Sequence, residues 1–139
     1  MTLVVDASVA IKWYVDEEGA PAALAIARGG EAMIAPDLVV AEVANVAWRK
    51  HRLGQLSAAQ VSVIATHLPS AFHELVPSSR LLPAALALSL AHDAPAYDSF
   101  YLALAAAADA TLVTADARLI TRARERMGDV RVMPLAEFA

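Results

Sequence analysis

The sequence predicts an α/β fold built on a central, parallel β-sheet, and three observations carry that reading. Short apolar segments of strand character (Leu3-Val4-Val5, Ala32 to Ala35, Ala110 to Val113) alternate with longer segments of helical character. Such alternation is what parallel strands joined by helical crossovers look like in sequence. Two of these strands then run into an acid, Asp6 immediately and Asp116 after the exit turn Thr114-Ala115. The third observation is a hydrophobic content of 58% in 139 residues, enough for one domain with a substantial core over residues 1–139.

The elements follow in order. Leu3 to Val5 is the first strand, and Val9 to Tyr14 reads as a helix that begins just past Asp6 and Ser8. Asp16-Glu17-Glu18-Gly19 is a polar turn, and Pro21 to Arg28 a second helix closed by Gly29-Gly30. After the strand Ala32 to Ala35, Pro36-Asp37 opens a long helix to about Leu53, stopped by Gly54. Ser57-Ala58-Ala59-Gln60 has capping-box spacing and starts a helix to about His67. Glu74 to Val76 is a short strand, Ser79 to Ala91 a helix with Pro83 near its first turn, and His92 to Ala96 a loop. Tyr97 to Ala108 is a helix, Ala110 to Val113 a strand, Ala117 to Met127 a helix, and Val130 to Met133 a last strand. No repeat, linker or low-complexity tract interrupts this.

Composition excludes some classes and leaves others open. The longest apolar run, Phe100 to Ala108, ends at Asp109, well short of the roughly 20 residues a membrane helix needs. Met1-Thr2-Leu3 lacks the basic start of a signal peptide. Together these predict a cytoplasmic protein without a membrane segment. The chain has no Cys, which excludes a disulfide framework and thiol chemistry. The apolar excess points to a buried interface, with a second copy or another partner. A net charge of −4 is unusual for a nucleic-acid binder. Four carboxylates neutralised by two divalent cations would bring it to zero, so net charge does not decide the partner.

The acids carry the chemistry. Glu42 stands in an otherwise apolar helix with Asn45 and Arg49 on the same face. The apolar flanks predict that this helix is mostly buried, and a buried carboxylate needs a partner. Asp98 and Asp116 each sit where a helix begins, and each also fits an N-cap. With Asp6, they lie where the ends of parallel strands share one edge, which predicts an acidic pocket. Such a pocket requires counter-charge. Hard oxygen donors without Cys indicate Mg²⁺ or Mn²⁺, and that chemistry suits phosphodiester hydrolysis. Ser8 and Thr114 can hydrogen-bond ligand waters or phosphate, or cap helices.

Basic residues fall into two groups. Arg49, Lys50 and Arg52, and Arg118 and Arg122 near Asp116, are the candidates for holding phosphate groups, with Arg124 and Arg126 on a solvated face. Asp93 reads as a solvated loop residue. His51, His67, His73 and His92 have no metal-binding spacing and read as surface residues, whereas Tyr97, Phe100 and Tyr101 read as core.

Four stretches resemble the motifs of PIN-domain ribonucleases, VapC-type toxins in particular. They are Leu3-Val-Val-Asp6-Ala-Ser8, Pro36 through Glu42-Val-Ala-Asn45 to Trp48-Arg49-Lys50, Ala96-Tyr97-Asp98 to Tyr101, and Leu112-Val-Thr114-Ala-Asp116 to Leu119. The resemblance covers nearly the whole chain. It implies a three-layer α/β/α arrangement around a mainly parallel sheet, Mg²⁺-dependent endonuclease action on RNA, a homodimer, and inhibition by a VapB-type antitoxin. By position it implies Asp6, Glu42, Asp98 and Asp116 as the catalytic and metal-binding acids, with Thr114, Ser8 and Asn45 supporting them. Some relatives carry a further acid after the Thr-x-Asp motif, where this chain has Ala117 and Arg118. Three other readings stay open or fall here. A phosphoaspartyl phosphatase wants an Asp where Ser8 stands, and a receiver domain wants paired acids at the first strand. A non-catalytic PIN-like module that only grips RNA or a protein remains the alternative.

Overall fold

The computed structural model describes residues 1–138. Five strands form one fully parallel sheet: β1 (Thr2–Val5), β2 (Ala32–Pro36), β3 (Glu74–Val76), β4 (Thr111–Thr114) and β5 (Val132–Pro134), in the order β3-β2-β1-β4-β5. The helices are α1 (Ala7–Ala10), α2 (Ala20–Arg28), α3 (Leu38–Arg52), α4 (Ala58–His67), α5 (Ser78–His92), α6 (Ala96–Ala107) and α7 (Ala117–Arg126). The predicted α/β architecture with a central parallel sheet is therefore the observed one.

The strand order explains the apolar runs. In β1, the consecutive residues Leu3, Val4 and Val5 are each 0% exposed. Consecutive strand side chains point to opposite faces, so β1 is covered on both faces and has no need of a polar alternation. The chain winds outward from β1 through β2 to β3, then returns to place β4 on the other side of β1. The winding reverses between β1 and β4, and beyond the carboxyl ends of those two strands lies the crevice where sheets of this kind bind ligands. Register pairs Val5 with Val113, so Asp6 and Thr114 leave the sheet side by side.

Several boundaries differ from the sequence reading. The helix expected over Val9 to Tyr14 is a short α1 followed by a 3₁₀ turn, Ile11–Trp13. Asp37 does not cap α3; it accepts hydrogen bonds from the Ser78 backbone and hydroxyl, and so ties the start of α5 to the end of β2. Pro83 lies inside α5 rather than in its first turn. The capping box at Ser57 and Gln60 is present as predicted. The polar turn is pinned, because Glu17 accepts from both Lys12 and Lys50.

The expectation that α3 is mostly buried was wrong. Val39, Val43 and Ala47 face the core, but Ala41, Ala44 and Asn45 are exposed and Trp48 is 54% exposed. The helix has one core-facing stripe, and its remaining apolar residues line a shallow groove against α4. No helix among the described residues is long and apolar enough to cross a membrane. Leu112 is 0% exposed at the centre of β4, so Leu112→Ala should cost about 2–5 kcal/mol of folding stability. Urea unfolding of the two proteins checks this.

Candidate active site

One cleft of about 310 Å³ collects all four predicted acids: Asp6, Glu42, Asp98 and Asp116 line it, together with Ser8, Asn45 and Arg49. Local structure explains each placement. Asp6 follows β1 and is the N-cap of α1, its Oδ1 accepting from the Val9 backbone at 3.2 Å. Ser8 donates to the same oxygen at 2.6 Å, and Thr114 donates to Oδ2 at 2.5 Å. Ser8 and Thr114 thus position a carboxylate rather than cap helices. The Ser8 hydroxyl also accepts from Ala115 N at 3.0 Å, and Thr114 Oγ1 from Asp116 N at 3.0 Å. These bonds clamp the exit turn of β4 onto Asp6.

Asp116 caps α7, its Oδ1 accepting from Arg118 N at 2.9 Å and Leu119 N at 3.3 Å. That cap aligns with prediction and leaves Asp116 in the cleft. Asp98 is not a cap. It sits in the first turn of α6 and accepts from Arg122 Nη1 at 2.6 Å. Glu42, on α3, accepts from the Tyr101 hydroxyl at 2.6 Å.

The cleft is electrostatically strained. Burial pushes Asp6 up to about 6, against the downward pull of its bonds to Ser8, Thr114 and Val9, and the Glu42 charge adds to the rise. Burial likewise raises Glu42 despite the Tyr101 bond, with the Asp98 charge contributing. Asp98 is raised first by burial and then by Asp116, although Arg122 opposes both. Burial raises the Tyr101 hydroxyl as well, and the neighbouring Glu42 reinforces it, so this phenol stays a proton donor to Glu42.

The four acids offer only carboxylate oxygen, and the cationic groups at the cleft are Arg49 in its lining and Arg122 paired with Asp98. Hard oxygens in charge excess fit Mg²⁺ or Mn²⁺ and suit no soft metal. As they stand, no three His, Asp or Glu side chains among the described residues converge on one point. Each acid is instead drawn to its own partner, and Tyr101 and Arg122 would have to yield for a shared cation.

Sequence reasoning overlooked two residues here. Tyr101 is buried as expected, yet its hydroxyl reaches Glu42. Tyr97, expected in the core, is 67% exposed and lines the cleft. The available signal was helical spacing, since Tyr97 and Tyr101 flank Asp98 on one face of α6. Of the basic candidates, Arg49 lines the cleft and Arg122 reaches it by pairing with Asp98. Lys50 is paired with Glu17 at 2.7 Å, Arg52 lies over the Trp48 ring, and Arg118 lines a separate groove along α7 with Arg122 and Arg126. Asp93 is exposed at the end of α5, outside the cleft. The four His residues form no cluster, but His73 is not merely a surface residue: its Nδ1 accepts from Met33 N at the edge of β2.

A sequence profile for the PIN domain matches residues 3–125. The chain belongs to the PIN-domain family. It is 36% identical over 121 residues to Ribonuclease VapC3 of Pyrobaculum aerophilum, which spans 86% of this chain and 92% of that relative. PIN-fold likeness extends to solved structures. The P. aerophilum protein PAE2754 superposes with a TM-score of 0.71 at 22% identity, covering 98% of this chain and 85% of its own. VapBC2 of Rickettsia felis, bound to a DNA fragment from its promoter, gives 0.67 at 14% identity, covering 96% of this chain and 98% of its own. The VapC-type resemblance read from the motifs thus holds.

The raised Asp6 has a consequence for stability. Its folded pKa lies above the unfolded one, so its ionised form opposes folding, and the opposition is relieved as pH falls through about 6. Protein treated with a chelator should therefore resist urea better at about pH 5.5 than at about pH 7.5. Asp6→Asn should flatten most of that difference; urea midpoints at the two pH values read it.

Proposed function

We propose that this PIN-domain protein is the toxin of a toxin–antitoxin pair and acts as a metal-dependent endoribonuclease. The observation that carries the reading is that Asp6, Glu42, Asp98 and Asp116 all line one cleft at the reversal point of the sheet. The relationship to a protein named Ribonuclease VapC3 supports RNA as the substrate. In this reading Asp6 and Asp98 hold Mg²⁺ or Mn²⁺, with Glu42 and Asp116 completing the ligand set directly or through water. The bound cation supplies Lewis acidity toward the phosphate and lowers the pKa of water.

The chain's own residues do the rest. Ser8 and Thr114 fix the Asp6 oxygens, and the exit turn they clamp keeps Asp116 facing the same cleft. Tyr101 holds Glu42 in place. A carboxylate with a raised pKa is a better proton acceptor than a solvated one, and Glu42, raised in the cation-free cleft, would serve as that acceptor where it meets the cation only through water. Asn45 and Arg49, on the Glu42 face of α3, meet phosphate oxygens, and exposed Tyr97 offers a ring for a base to stack on.

The antitoxin belongs to the same reading. The R. felis neighbour is VapBC2 bound to a DNA fragment from their promoter, which supports a VapB-type partner here. Here an apolar groove of about 290 Å³, lined by Ala44, Ala47, Trp48, Val61, Ile64 and Ala65, runs between α3 and α4 and shares α3 with the cleft. A VapB-type partner segment that fills it would bury Trp48. A homodimer is also part of the proposal, supported by Leu82, Leu86 and Leu90 exposed along one face of α5.

Asp98→Asn tests the chemistry, because Asn is nearly isosteric and lacks the charge a cation needs. The folded variant should lose Mg²⁺-dependent cleavage of RNA, whereas near wild-type cleavage would remove Asp98 from the machinery. Mg²⁺ at a hundred times its dissociation constant should stabilise the wild type by about 2.7 kcal/mol, and the variant far less, as read by thermal melts in Mg²⁺ and in EDTA.

The pairing is tested in cells. Expressed alone in a bacterial host, the chain should arrest growth, and co-expression of the neighbouring gene's product should relieve it. Arrest by Asp98→Asn equal to that by wild type would mean that the arrest does not come from cleavage.

A further inference from the structure

Arg122 belongs to two places at once. It lines a groove of about 400 Å³ along α7 with Arg118, Arg126, Thr121 and Glu125. Residues 118, 122 and 126 recur every fourth position, so they share one face of the helix. From that groove the Arg122 guanidinium reaches over to the acidic cleft and meets Asp98 Oδ2 at 2.6 Å, with its side chain 25% and that of Asp98 21% exposed. Arg118 and Arg126 make no ion pair with a cleft acid; Arg126 donates to the His92 carbonyl.

The Arg122 contact is a single N–H to a single oxygen, not the two-point fork that makes arginine–carboxylate pairs strong and rigid. It is also partly exposed, where such pairs contribute little. A divalent cation that takes Asp98 competes directly with this one-point contact. A guanidinium released from Asp98 would be free to meet a phosphate beside Arg118 in the same groove.

We propose that Arg122 is a displaceable counter-ion of Asp98 that couples cation binding in the acidic cleft to phosphate binding along α7. The proposal rests on the reading of the cleft as a cation site. Without RNA, Arg122 holds Asp98 and lowers cation affinity. With RNA, phosphate draws Arg122 away and the acid is released to the cation. By linkage, each ligand strengthens the other by the same factor. The arrangement makes the substrate itself favour assembly of the complete site.

The test measures Mn²⁺ binding by calorimetry with and without a 2′-O-methylated RNA 12-mer that resists cleavage, after subtracting Mn²⁺ bound by the RNA alone. In the wild type, RNA should raise Mn²⁺ affinity by about 5-fold or more, the lower end of ordinary coupling. Arg122→Gln should bind Mn²⁺ several-fold tighter without RNA and lose the RNA effect. Arg118→Gln, which removes the same charge from the same groove without touching Asp98, should weaken RNA binding and keep the coupling. Arg122→Lys keeps the charge and should fall between wild type and Arg122→Gln, which guards against a folding defect in the Gln variant. Unchanged Mn²⁺ affinity in Arg122→Gln, or coupling that survives in it, overturns the proposal. If Mn²⁺ binding needs Asp98 but ignores Arg122, only the counter-ion role falls. If Asp98→Asn binds Mn²⁺ as the wild type does, the cation reading of the cleft falls with it.

Discussion

The hydrogen bond from Thr114 to Asp6 joins the two halves of this molecule. Asp6 ends β1 and Thr114 ends β4, the strands between which the chain reverses its winding. Thr114 is 0% exposed and Asp6 only 5%, so the hydroxyl has no water as an alternative and the carboxylate little. A hydrogen bond to a charged group contributes about 1.5–3 kcal/mol, whereas leaving a buried acceptor unmet costs at least as much again. The pair therefore fixes register and site together. Sliding β4 by one residue would bury Val113 where the hydroxyl belongs and strand the carboxylate. The same hydroxyl accepts from Asp116 N, so Asp116 is placed by the hydroxyl that satisfies Asp6.

Desolvation outweighs hydrogen bonding at this point of the fold. Asp6 accepts three hydrogen bonds, from Ser8, Thr114 and Val9, and burial still raises its pKa to about 6. None of its donors is a cation, and neutral donors stabilise an anion less than charged ones do. Asp98 does have a cationic partner and is still raised by burial and by Asp116. A fold shaped only for stability would replace some of these acids with apolar or neutral residues. Keeping four of them around one cleft sacrifices stability for a site.

Much of this was legible in the sequence because strand and acid coincide there. Leu3-Val4-Val5 before Asp6, and Leu112-Val113-Thr114 before Asp116, are local patterns, and a parallel sheet brings such ends to one edge without further information. Glu42 was legible for a different reason, as a charge amid apolar residues. What stayed hidden depends on side chains of separate helices meeting. Lys50 looked like a phosphate ligand beside Arg49, but the loop before α2 carries Glu17 to it. Tyr97 looked apolar enough for the core, yet on the same face of α6 it sits at the open first turn, 67% exposed, while Tyr101 one turn further is 3% exposed. The apolar flanks of Glu42 suggested burial of the whole α3 helix, but only every fourth residue faces the core. An apolar sequence cannot say whether its partner is in the same chain, and the groove beside Trp48 leaves that question to a second molecule.

The partners of the four acids differ in how easily they can be given up, and that ordering follows the fold. Asp6 and Asp116 are held by backbone amides and by hydroxyls at strand ends, whose positions are set by the sheet and the helix starts. Glu42 is held by a hydroxyl on α6, and Asp98 by a long, partly exposed arginine on α7. Backbone amides of rigid elements thus hold Asp6 and Asp116, whereas side chains of other helices hold Glu42 and Asp98. The strand-end pair forms a fixed half of the site and the helix-borne pair an adjustable half. Placing the arginine on α7, which starts at Asp116 itself, ties the adjustable half back to the fixed one. One arginine thus links Asp98 directly to the helix that Asp116 caps.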